Sequence, residues 1–235
     1  MEPISLTLNT DCLEYMRTLE DNAFDIAICD PPYGIGADKN QIAKANKRQG
    51  KSKAAWKDYG NAIWDSAAPQ QEFFDEIRRV SRNQIIWGAN HFISRIPHDS
   101  PCWIVWDKDN GTNDFADCEL AWTSFPTAVR MFRYRWAGML QENMRNKEER
   151  IHPCQKPVAL YGWILDNFAH QGDRIFDPMM GSGSSRIAAY KLGYDFVGCE
   201  KDKEFYEKSN ERFNRECKGI YTMRDGRKVI QQTLF

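Results

Sequence analysis

The sequence predicts an α/β protein with a doubly wound, mostly parallel sheet, and two segments carry that prediction. Residues 24–29 (FDIAIC) form a short apolar run that stops abruptly at Asp30-Pro31-Pro32, as a buried strand does. Residues 174–176 form a second strand-like run, which leads into a glycine-containing loop and then into a helical pattern. Strands that alternate with helices are typical of parallel sheets with helices on both faces.

The other predicted elements continue this alternation along the chain. The helical patterns cover residues 69–80, 158–169, 185–191 and, after residue 200, a charged amphipathic stretch through residue 212. The strand-like patterns cover residues 84–87, 102–106, 119–124, 130–136 and 196–200. Alternate residues of the 130–136 strand should face opposite sides of the sheet, which places its aromatic residues together on one face.

Length and composition bound the class of protein. A chain of 235 residues is long enough for one substantial core, so we expect residues 1–235 to form a single domain. An apolar run of membrane-spanning length and a secretory signal pattern are both absent from the sequence, which predicts a cytoplasmic protein. The seven cysteines are scattered without a C-x-x-C pair, so we expect neither a zinc site nor a disulfide framework.

A net charge of −1 hides two basic clusters. Seven basic residues and no acidic one occur between Lys39 and Lys57, inside a region at about 34–65 that has no clear period and is predicted to be a long loop. The second cluster is interleaved with aromatic residues and consists of Arg130, Arg133 and Arg135. Local clusters of this kind favour contact with phosphates.

Residues 175–200 have the order of a nucleotide-binding unit, which is strand, glycine loop, helix, strand and acidic residue. Gly181 and Gly183 allow the backbone to approach a ligand, and the next helix offers unpaired N–H groups at its N-terminus. Glu200 stands where an acid accepts hydrogen bonds from both hydroxyls of a ribose. The loop lacks the G-x-G-x-x-G pattern and the P-loop lysine, so it does not indicate a phosphate site, and a tight turn also explains its glycines.

The segment Asp30-Pro31-Pro32-Tyr33 should emerge at the carboxyl end of a buried strand, where open α/β sheets bind ligands. These residue types suit a reaction in which an aromatic amine is the nucleophile. Such an amine is a poor nucleophile because its lone pair is delocalised into the ring. The Asp30 carboxylate and the Pro31 carbonyl are suited to accept its two N–H groups, and the two prolines fix the backbone around that carbonyl. Tyr33 offers a flat face to an extruded base. A strand-terminating turn with an incidental aromatic residue is the alternative.

Together the two motifs resemble those of the amino-methyltransferases that act on adenine N6 or cytosine N4 in DNA. DPPY at residues 30–33 precedes FDPMMGSGSS at residues 176–185, which is the order found in the permuted members called the β class. Further matching segments are NTDCLE (9–14), WIVWDK (103–108), HPCQKP (152–157) and GCEKD (198–202). The resemblance implies the permuted, Rossmann-like fold of S-adenosylmethionine-dependent methyltransferases, with S-adenosyl-L-methionine as cofactor, and methylation of adenine N6 with base flipping.

The resemblance also implies roles for individual residues. The catalytic positions are Asp30, Pro31, Pro32 and Tyr33. The cofactor-binding positions are Asp11, Cys12, Lys156, Phe176, Asp177, Pro178, Met179, Gly181, Ser182, Gly183, Glu200, Lys201 and Asp202. Glu200 matches the ribose-binding acid, and Lys156 matches a position near the methionine end of the cofactor, where its ammonium could pair with the carboxylate. A metal is not required, because the methyl sulfonium carries its own activation.

DNA is the partner that the resemblance implies, and the chain could act as a monomer or a homodimer. The basic loop begins a few residues after Tyr33, so its cations should neutralise phosphates beside the active site. The residues expected to contact DNA are Lys39, Lys44, Lys47, Arg48, Lys51, Lys53, Arg133 and Arg135.

Two departures from the family pattern bear on packing and specificity. Met179-Met180 stand where the family often has Phe and a small residue, which should alter the packing on the cofactor. The target-recognition region, at about 125–150, is short, and this puts high sequence specificity in doubt.

Three other functions stay open. Cytosine-N4 enzymes more often have Ser before Pro-Pro, and sites that methylate RNA or a protein glutamine amide usually begin with Asn. A cofactor-binding protein without catalysis is the third, and the intact Asp30 and Tyr33 argue against it.

The C-terminal region, at about 219–235, is predicted to be a flexible tail. Its last residues, QQTLF, resemble the short peptide by which bacterial DNA-processing proteins dock on the replication sliding clamp, with contacts through Gln231, Leu234 and Phe235. The alternative is that the apolar residues of the tail pack back onto the domain.

Overall fold

The computed structural model describes residues 2–36, 65, 67–96, 98–111, 116–137, 140–223 and 226–230. The strands in these residues are β1 (Ser5–Leu8), β2 (Phe24–Cys29), β3 (Ser81–Trp87), β4 (Trp103–Asp107), β5 (Cys118–Thr123), β6 (Arg130–Arg133), β7 (Trp136–Ala137), β8 (Leu140–Gln141), β9 (Arg174–Asp177), β10 (Asp195–Cys199), β11 (Ile220–Thr222) and β12 (Lys228–Ile230). The α-helices are α1 (Cys12–Met16), α2 (Gln71–Val80), α3 (Val158–Phe168), α4 (Ser184–Leu192) and α5 (Lys203–Lys218).

Eight of the strands form one sheet in the order β1-β10-β9-β2-β3-β5-β4-β6. Its neighbours are parallel except where β5 runs antiparallel to both β3 and β4. The sheet is therefore mostly parallel, and this confirms the predicted fold class. Among the described residues, no helix has the length and apolar character needed to cross a membrane.

Strand β2 at the middle of the sheet is buried on both faces. Ile26 and Ile28 pack into the core beneath α3 and α4, whereas Ala27 and Cys29 belong to the core beneath α1 and α2. Successive side chains of a strand point to opposite faces, so a strand covered by helices on both sides must be apolar throughout. This explains why residues 26–29 form a continuous apolar run rather than an alternating one.

The pairing of β2 with β9 decides where the two sequence motifs meet. Ile26 lies opposite Ile175 and Ala27 opposite Phe176 in a parallel register. The loops that follow the two strands therefore leave the sheet side by side at its carboxyl edge. This is the edge at which open α/β sheets bind ligands.

A buried arginine fixes the loop after β9 to the rest of the domain. Arg212 of α5 is fully buried and pairs with Glu148 and Glu216, at 2.8 and 2.7 Å. It also donates hydrogen bonds to the Ser182 carbonyl and the Ser184 hydroxyl, at 3.2 and 2.8 Å. Two carboxylates and two neutral acceptors satisfy the guanidinium, so its charge is tolerated in the interior.

Three parts of the chain differ from their predicted structure. The segment predicted as a strand over 130–136 is split, because β6 ends at residue 133 and Trp136 turns inward to donate its indole N–H to the Gln155 carbonyl at 2.8 Å. Strand β1 and helix α1 were not predicted from the sequence.

The segment predicted to be a tail contains regular structure in residues 220–222 and 228–230. Helix α5 ends at Gly219 in the left-handed conformation, and the chain then forms the antiparallel pair β11–β12. Val229 and Ile230 in β12 are exposed, so they do not pack onto the domain. Gln231, Leu234 and Phe235 lie outside the described residues, as do Lys39, Lys44, Lys47, Arg48, Lys51 and Lys53.

Candidate active site

The segment after β2 lies against two strands from elsewhere in the sheet. Asp30 follows β2 directly, and its carboxylate Oδ2 lies 2.5 Å from the Nζ of Lys156. Its other oxygen, Oδ1, accepts a hydrogen bond from the Tyr33 hydroxyl at 3.0 Å. The same hydroxyl accepts one from the Lys156 ammonium at 3.3 Å. Both oxygens of Asp30 are therefore engaged by donors of the protein itself.

Glu119 extends this group of charges towards β4. Its Oε2 lies 3.2 Å from the Lys156 ammonium and 3.4 Å from the Tyr33 hydroxyl. Its Oε1 forms an ion pair with Lys108, which follows β4. Two carboxylates and two ammonium groups thus balance one another, as charges in a buried site must.

The surroundings shift the pKa values of this cluster in opposite directions. Burial raises the pKa of Asp30, and the nearby Glu119 carboxylate adds to the rise, while the Lys156 ammonium opposes it. Burial acts in the same direction on Glu119, but the ammonium groups of Lys156 and Lys108 outweigh it and lower the pKa of Glu119 to about 2. Burial alone would lower the pKa of Lys156, yet the two carboxylates raise it, so this lysine stays charged.

The aromatic ring of Tyr33 contacts a glycine and a histidine. Gly88 has a left-handed φ of 68°, and a Cβ at this position would lie only 2.1 Å from the Tyr33 ring. The ring of His91 stacks on Tyr33 with centroids 5.0 Å apart and an interplanar angle of 17°. One face of Tyr33 is therefore already covered by a ring of the protein, so a second stacking partner would use the opposite face.

The loop after β9 is built around a buried carboxylate. Asp177 accepts hydrogen bonds from the Met179 N–H at 3.0 Å and from the Ser185 hydroxyl at 2.5 Å. Burial raises its pKa to about 7, although these two donors oppose the rise. Gly181 and Gly183 have left-handed φ values of 48° and 72°, which let the chain turn into α4. His152 covers this loop, lying 3.8 Å from the position of a Cβ on Gly181, and burial lowers its pKa to about 4.

Glu200 ends β10 and reaches back to the same loop. Its Oε2 accepts a hydrogen bond from the Gly181 N–H at 3.0 Å, and its Oε1 accepts one from the Asp202 N–H at 2.8 Å. Each carboxylate oxygen has capacity for a further donor, since an ionised carboxylate offers about four lone-pair sites. The structure thus brings Asp177, Gly181, Gly183 and Glu200 together in one place.

Several other predicted cofactor residues have structural duties. Asp11 caps α1 through the Leu13 N–H and pairs with the exposed Lys201 at 3.0 Å. Asp202 caps α5 through the Phe205 N–H at 3.0 Å. The remaining members are largely or fully buried in or beside the core, and these are Cys12, Phe176, Pro178 and Ser182, with Met179 half-buried.

Two of the predicted cofactor residues have well-defined contacts within the chain. The side chain of Phe176 has no exposed surface and stacks on Phe24 at 4.5 Å, so this side chain supports the sheet. The ammonium of Lys156 pairs with Asp30 and Glu119, because a buried ammonium takes the carboxylates that lie within reach. The cofactor contacts of both residues stay predictions.

The two arginines expected to contact DNA are exposed but paired. Arg133 binds Asp107 at 2.8 Å, and Arg135 binds Asp109 at 2.7 Å. Exposed ion pairs of this kind are weak, so both guanidinium groups can exchange partners at little cost.

Sequence reasoning missed four residues of this site, namely Gly88, His91, Lys108 and Glu119. Glu119 did leave a signal, since it is the charged first residue of the strand predicted over 119–124, and Lys108 lies in the matching segment WIVWDK. Gly88 and His91 left none, because their importance depends on a contact with the distant Tyr33.

The sheet order defines a Rossmann-like fold, and solved structures of methyltransferases share it. The M1.HpyAVI complex with SAM matches with a TM-score of 0.57 at 21% identity, covering 89% of this chain and 98% of that one. The cytosine-N4-specific PvuII DNA methyltransferase matches with a TM-score of 0.54 at 11% identity, covering 91% and 93%.

Sequence comparison gives the family. The model of the DNA methylase family N6_N4_Mtase matches residues 95–211, about half of the chain. The type II methyltransferase M2.MboI of Moraxella bovis is 25% identical over 242 aligned positions, which cover 87% of this chain and 85% of the relative. The chain belongs to the N6/N4 family of DNA methylases. The family predicted from the motifs is thereby confirmed, while its assignment to the permuted β class stays a prediction.

Replacing Gly88 tests whether the position of Tyr33 matters. Gly88→Ala should slow methyl transfer on the order of a hundredfold, because the new Cβ displaces the tyrosine ring from the site. The matched control is Gly111→Ala, whose φ is also 68° but whose added Cβ meets nothing within 4 Å. Both variants should lose about 1–2 kcal/mol of stability from the left-handed backbone. Equal methylation rates in the two variants would show that the Tyr33 contact is unimportant.

Proposed function

We propose that this protein transfers a methyl group from S-adenosyl-L-methionine to the exocyclic N6 amine of adenine in DNA. The observation that carries the proposal is the adjacency of β2 and β9, which puts Asp30 and Tyr33 beside the loop of Asp177 at one edge of the sheet. The segment 30–33 is suited to bind the target amine, and the loop that begins at Asp177 is suited to bind a nucleoside cofactor. Members of the N6/N4 family of DNA methylases share this pair of motifs.

The residues around Asp177 fit a cofactor with a ribose. The Glu200 carboxylate is held by two backbone N–H groups and retains acceptor sites for two hydroxyls. The left-handed glycines 181 and 183 bring the backbone close to the N-terminus of α4, where N–H groups are unpaired. S-adenosyl-L-methionine, when bound, supplies an electrophilic methyl group on a sulfonium. The residues proposed to hold it are Asp177, Gly181, Gly183 and Glu200, with Asp11 and Lys201 at the edge.

The chain's own groups prepare the amine for attack. An amine hydrogen-bonded to the Asp30 carboxylate and the Pro31 carbonyl is drawn towards the pyramidal form, in which its lone pair is available. Tyr33, backed by His91, supplies a rigid aromatic face against which an extruded base can stack. The amine loses one proton when it is methylated, and the adjacent Asp30 is the group placed to accept it. Positioning and charge stabilisation account for this catalysis.

The choice of adenine rests on the residue before the two prolines. Asp30 is a carboxylate, whereas cytosine-N4 enzymes more often have Ser there. A common fold does not separate the two reactions, since the PvuII methyltransferase that shares it is cytosine-N4-specific. Cytosine-N4 methylation is therefore the second candidate.

The direct test is analysis of the product. Incubation with S-adenosyl-L-methionine and unmodified DNA, followed by digestion to nucleosides and mass spectrometry, should yield N6-methyladenine. DNA with every adenine replaced by inosine is the matched control and should remain unmethylated. If N4-methylcytosine were the sole product, adenine methylation would be wrong and the second candidate, cytosine-N4 methylation, would be the function.

Two substitutions should separate the amine site from the cofactor site. Asp30→Asn should slow methylation by roughly 10²–10⁴-fold while leaving the Kd for S-adenosyl-L-methionine nearly unchanged. Glu200→Gln should instead weaken cofactor binding by roughly ten- to a hundredfold, because it loses a charge-assisted bond to the ribose. Glu211→Gln on the exposed surface of α5 is the control. Calorimetry with the opposite pattern would contradict the two assignments.

DNA contact is proposed for the basic loop and for the arginines at the end of β6. The ends of this loop lie close together beside Tyr33, because the Gly34 N–H donates to the Asp65 carboxylate at 2.7 Å. Arg133 and Arg135 would exchange their aspartate partners for phosphates. Contacts of this kind give affinity that depends on salt and little on sequence.

Removing charges from the loop should change the salt dependence of DNA binding. Replacing Lys47, Arg48, Lys51 and Lys53 by Ala should weaken binding to all sequences alike and flatten the plot of log K against log salt by nearly one unit per lost phosphate contact. A variant in which Arg78, Arg82, Lys203 and Lys218 are replaced by Ala loses the same charge elsewhere and is the control. An equal change in slope for both variants would show that only net charge matters.

We further propose that the last residues dock on the sliding clamp through Gln231, Leu234 and Phe235. The exposed β11–β12 pair would carry this peptide away from the domain. Retention on immobilised clamp that is equal for the intact chain and for Leu234→Ala/Phe235→Ala would contradict the docking.

A further inference from the structure

The proposed chemistry requires the Asp30 carboxylate to receive a target amine, and this carboxylate is already occupied. Its Oδ2 lies 2.5 Å from the Lys156 ammonium, and its Oδ1 accepts the Tyr33 hydroxyl at 3.0 Å. An amine that takes the place of either donor leaves that donor without its acceptor on Asp30. A displaced donor in a buried site needs another acceptor at once, since an unpaired buried polar group is costly.

A carboxylate oxygen of Glu119 lies within hydrogen-bonding reach of both donors, Lys156 and Tyr33. Oε2 of Glu119 is 3.2 Å from the Lys156 ammonium and 3.4 Å from the Tyr33 hydroxyl. Both distances are longer than those to Asp30, so Glu119 holds the donors more loosely in the present arrangement. Small movements of the ends of the Lys156 and Tyr33 side chains would make Glu119 the nearer acceptor.

Lys108 keeps Glu119 in this orientation. Its ammonium pairs with Oε1 of Glu119, which leaves Oε2 turned towards Lys156 and Tyr33. Lys108 also lies over the ring of Trp106, 5.2 Å from its centroid, and Lys156 lies 5.4 Å from the centroid of Trp87. Apolar rings thus border the two lysines, and the carboxylates are their strong partners.

We propose that Glu119 is a positioning residue that takes over the hydrogen bonds of Lys156 and Tyr33 when the target amine binds Asp30. The inference rests on the proposed methylation of an exocyclic amine. Glu119 acts through Lys156 and Tyr33 and need not touch the base. The transfer leaves every buried donor paired before and after the amine arrives.

The transfer of Lys156 from Asp30 to Glu119 also lets Asp30 accept the proton that the amine loses. With Lys156 on Asp30, the ammonium opposes protonation of the carboxylate. With Lys156 held by Glu119, the Asp30 oxygens face the amine and can bind its departing proton. No group outside the cluster is needed, since the proton passes from the amine nitrogen to an Asp30 oxygen and from there to solvent.

The test is Glu119→Gln, which preserves the shape of the side chain and removes its charge. Single-turnover methylation should slow on the order of ten- to a hundredfold, because Lys156 then remains on Asp30. The Kd values for S-adenosyl-L-methionine and DNA should stay unchanged, which separates this role from binding. Glu20→Gln, on the exposed surface, is the matched control.

The pH profile distinguishes positioning from a structural role. The charged and titratable groups that act on Asp30 are Lys156, Glu119 and Tyr33, with Asp177 and Cys154 farther away. Loss of the Glu119 charge lowers the pKa of Asp30, so the acid limb of the rate profile should move to lower pH. A slower rate with an unmoved acid limb would show that Glu119 is only structural, and a normal rate would equally overturn the proposal.

A second variant covers the case in which Glu119→Gln folds poorly. Glu119→Gln/Lys108→Met removes one anion and one cation and keeps the cluster balanced, and it should show the same slow rate and shifted limb. The wild-type product separates this inference from the proposed function. If the wild type makes N6-methyladenine and both variants match it, only the role of Glu119 is wrong. If the wild type methylates no DNA, the proposed function fails and the inference fails with it.

Discussion

The ion pair between Lys156 and Asp30 is the interaction on which the site depends. A carboxylate at the end of a fully buried strand would become neutral without a cation beside it, and a neutral acid accepts hydrogen bonds poorly. Lys156 supplies that cation from a segment more than a hundred residues away in the chain, just before α3. Glu119 also pairs with this buried lysine, and Lys108 pairs with Glu119, so the cluster is a balanced set of four charges. The active edge of the sheet is therefore held by charge pairing as well as by packing.

A second buried network holds the loop after β9 against the rest of the domain. Arg212 links Glu148 to the loop of Ser182 and Ser184, and Glu148 also accepts the Val158 N–H at the start of α3. The segment that begins α3 also carries Lys156. The Glu148 carboxylate thus connects its own segment, which is predicted to belong to the target-recognition region, to the glycine loop and to the segment of the lysine that pairs with Asp30. A substitution at any one of these three places should therefore change the hydrogen bonding at the other two.

The sequence was sufficient to predict those features that depend on neighbouring residues. The apolar run before Asp30 and the glycines before α4 fixed two strand ends, and the alternation of elements then implied a parallel sheet that brings them together. The partners of Lys156 were not predictable in this way. Its interaction with Asp30 and Glu119 requires three strands and a loop to be placed relative to one another, and no local pattern records that arrangement. The stacking of His91 on Tyr33 and the close approach of Gly88 are non-local for the same reason, whereas the β11–β12 pair was missed because its strands are only three residues long.

Asp65 joins the two ends of the segment predicted to be the basic loop. Gly34 donates to the Asp65 carboxylate, and the Gly36 N–H donates to the Asp65 carbonyl at 3.2 Å, so the chain leaves and rejoins the domain at one place. That place is one residue beyond Tyr33. Closing a long loop costs only slightly more than closing a short one, because the entropy grows with the logarithm of length. The length of chain inserted at this place therefore costs little stability. Asp65 is itself buried, which anchors this join in the domain beside Tyr33.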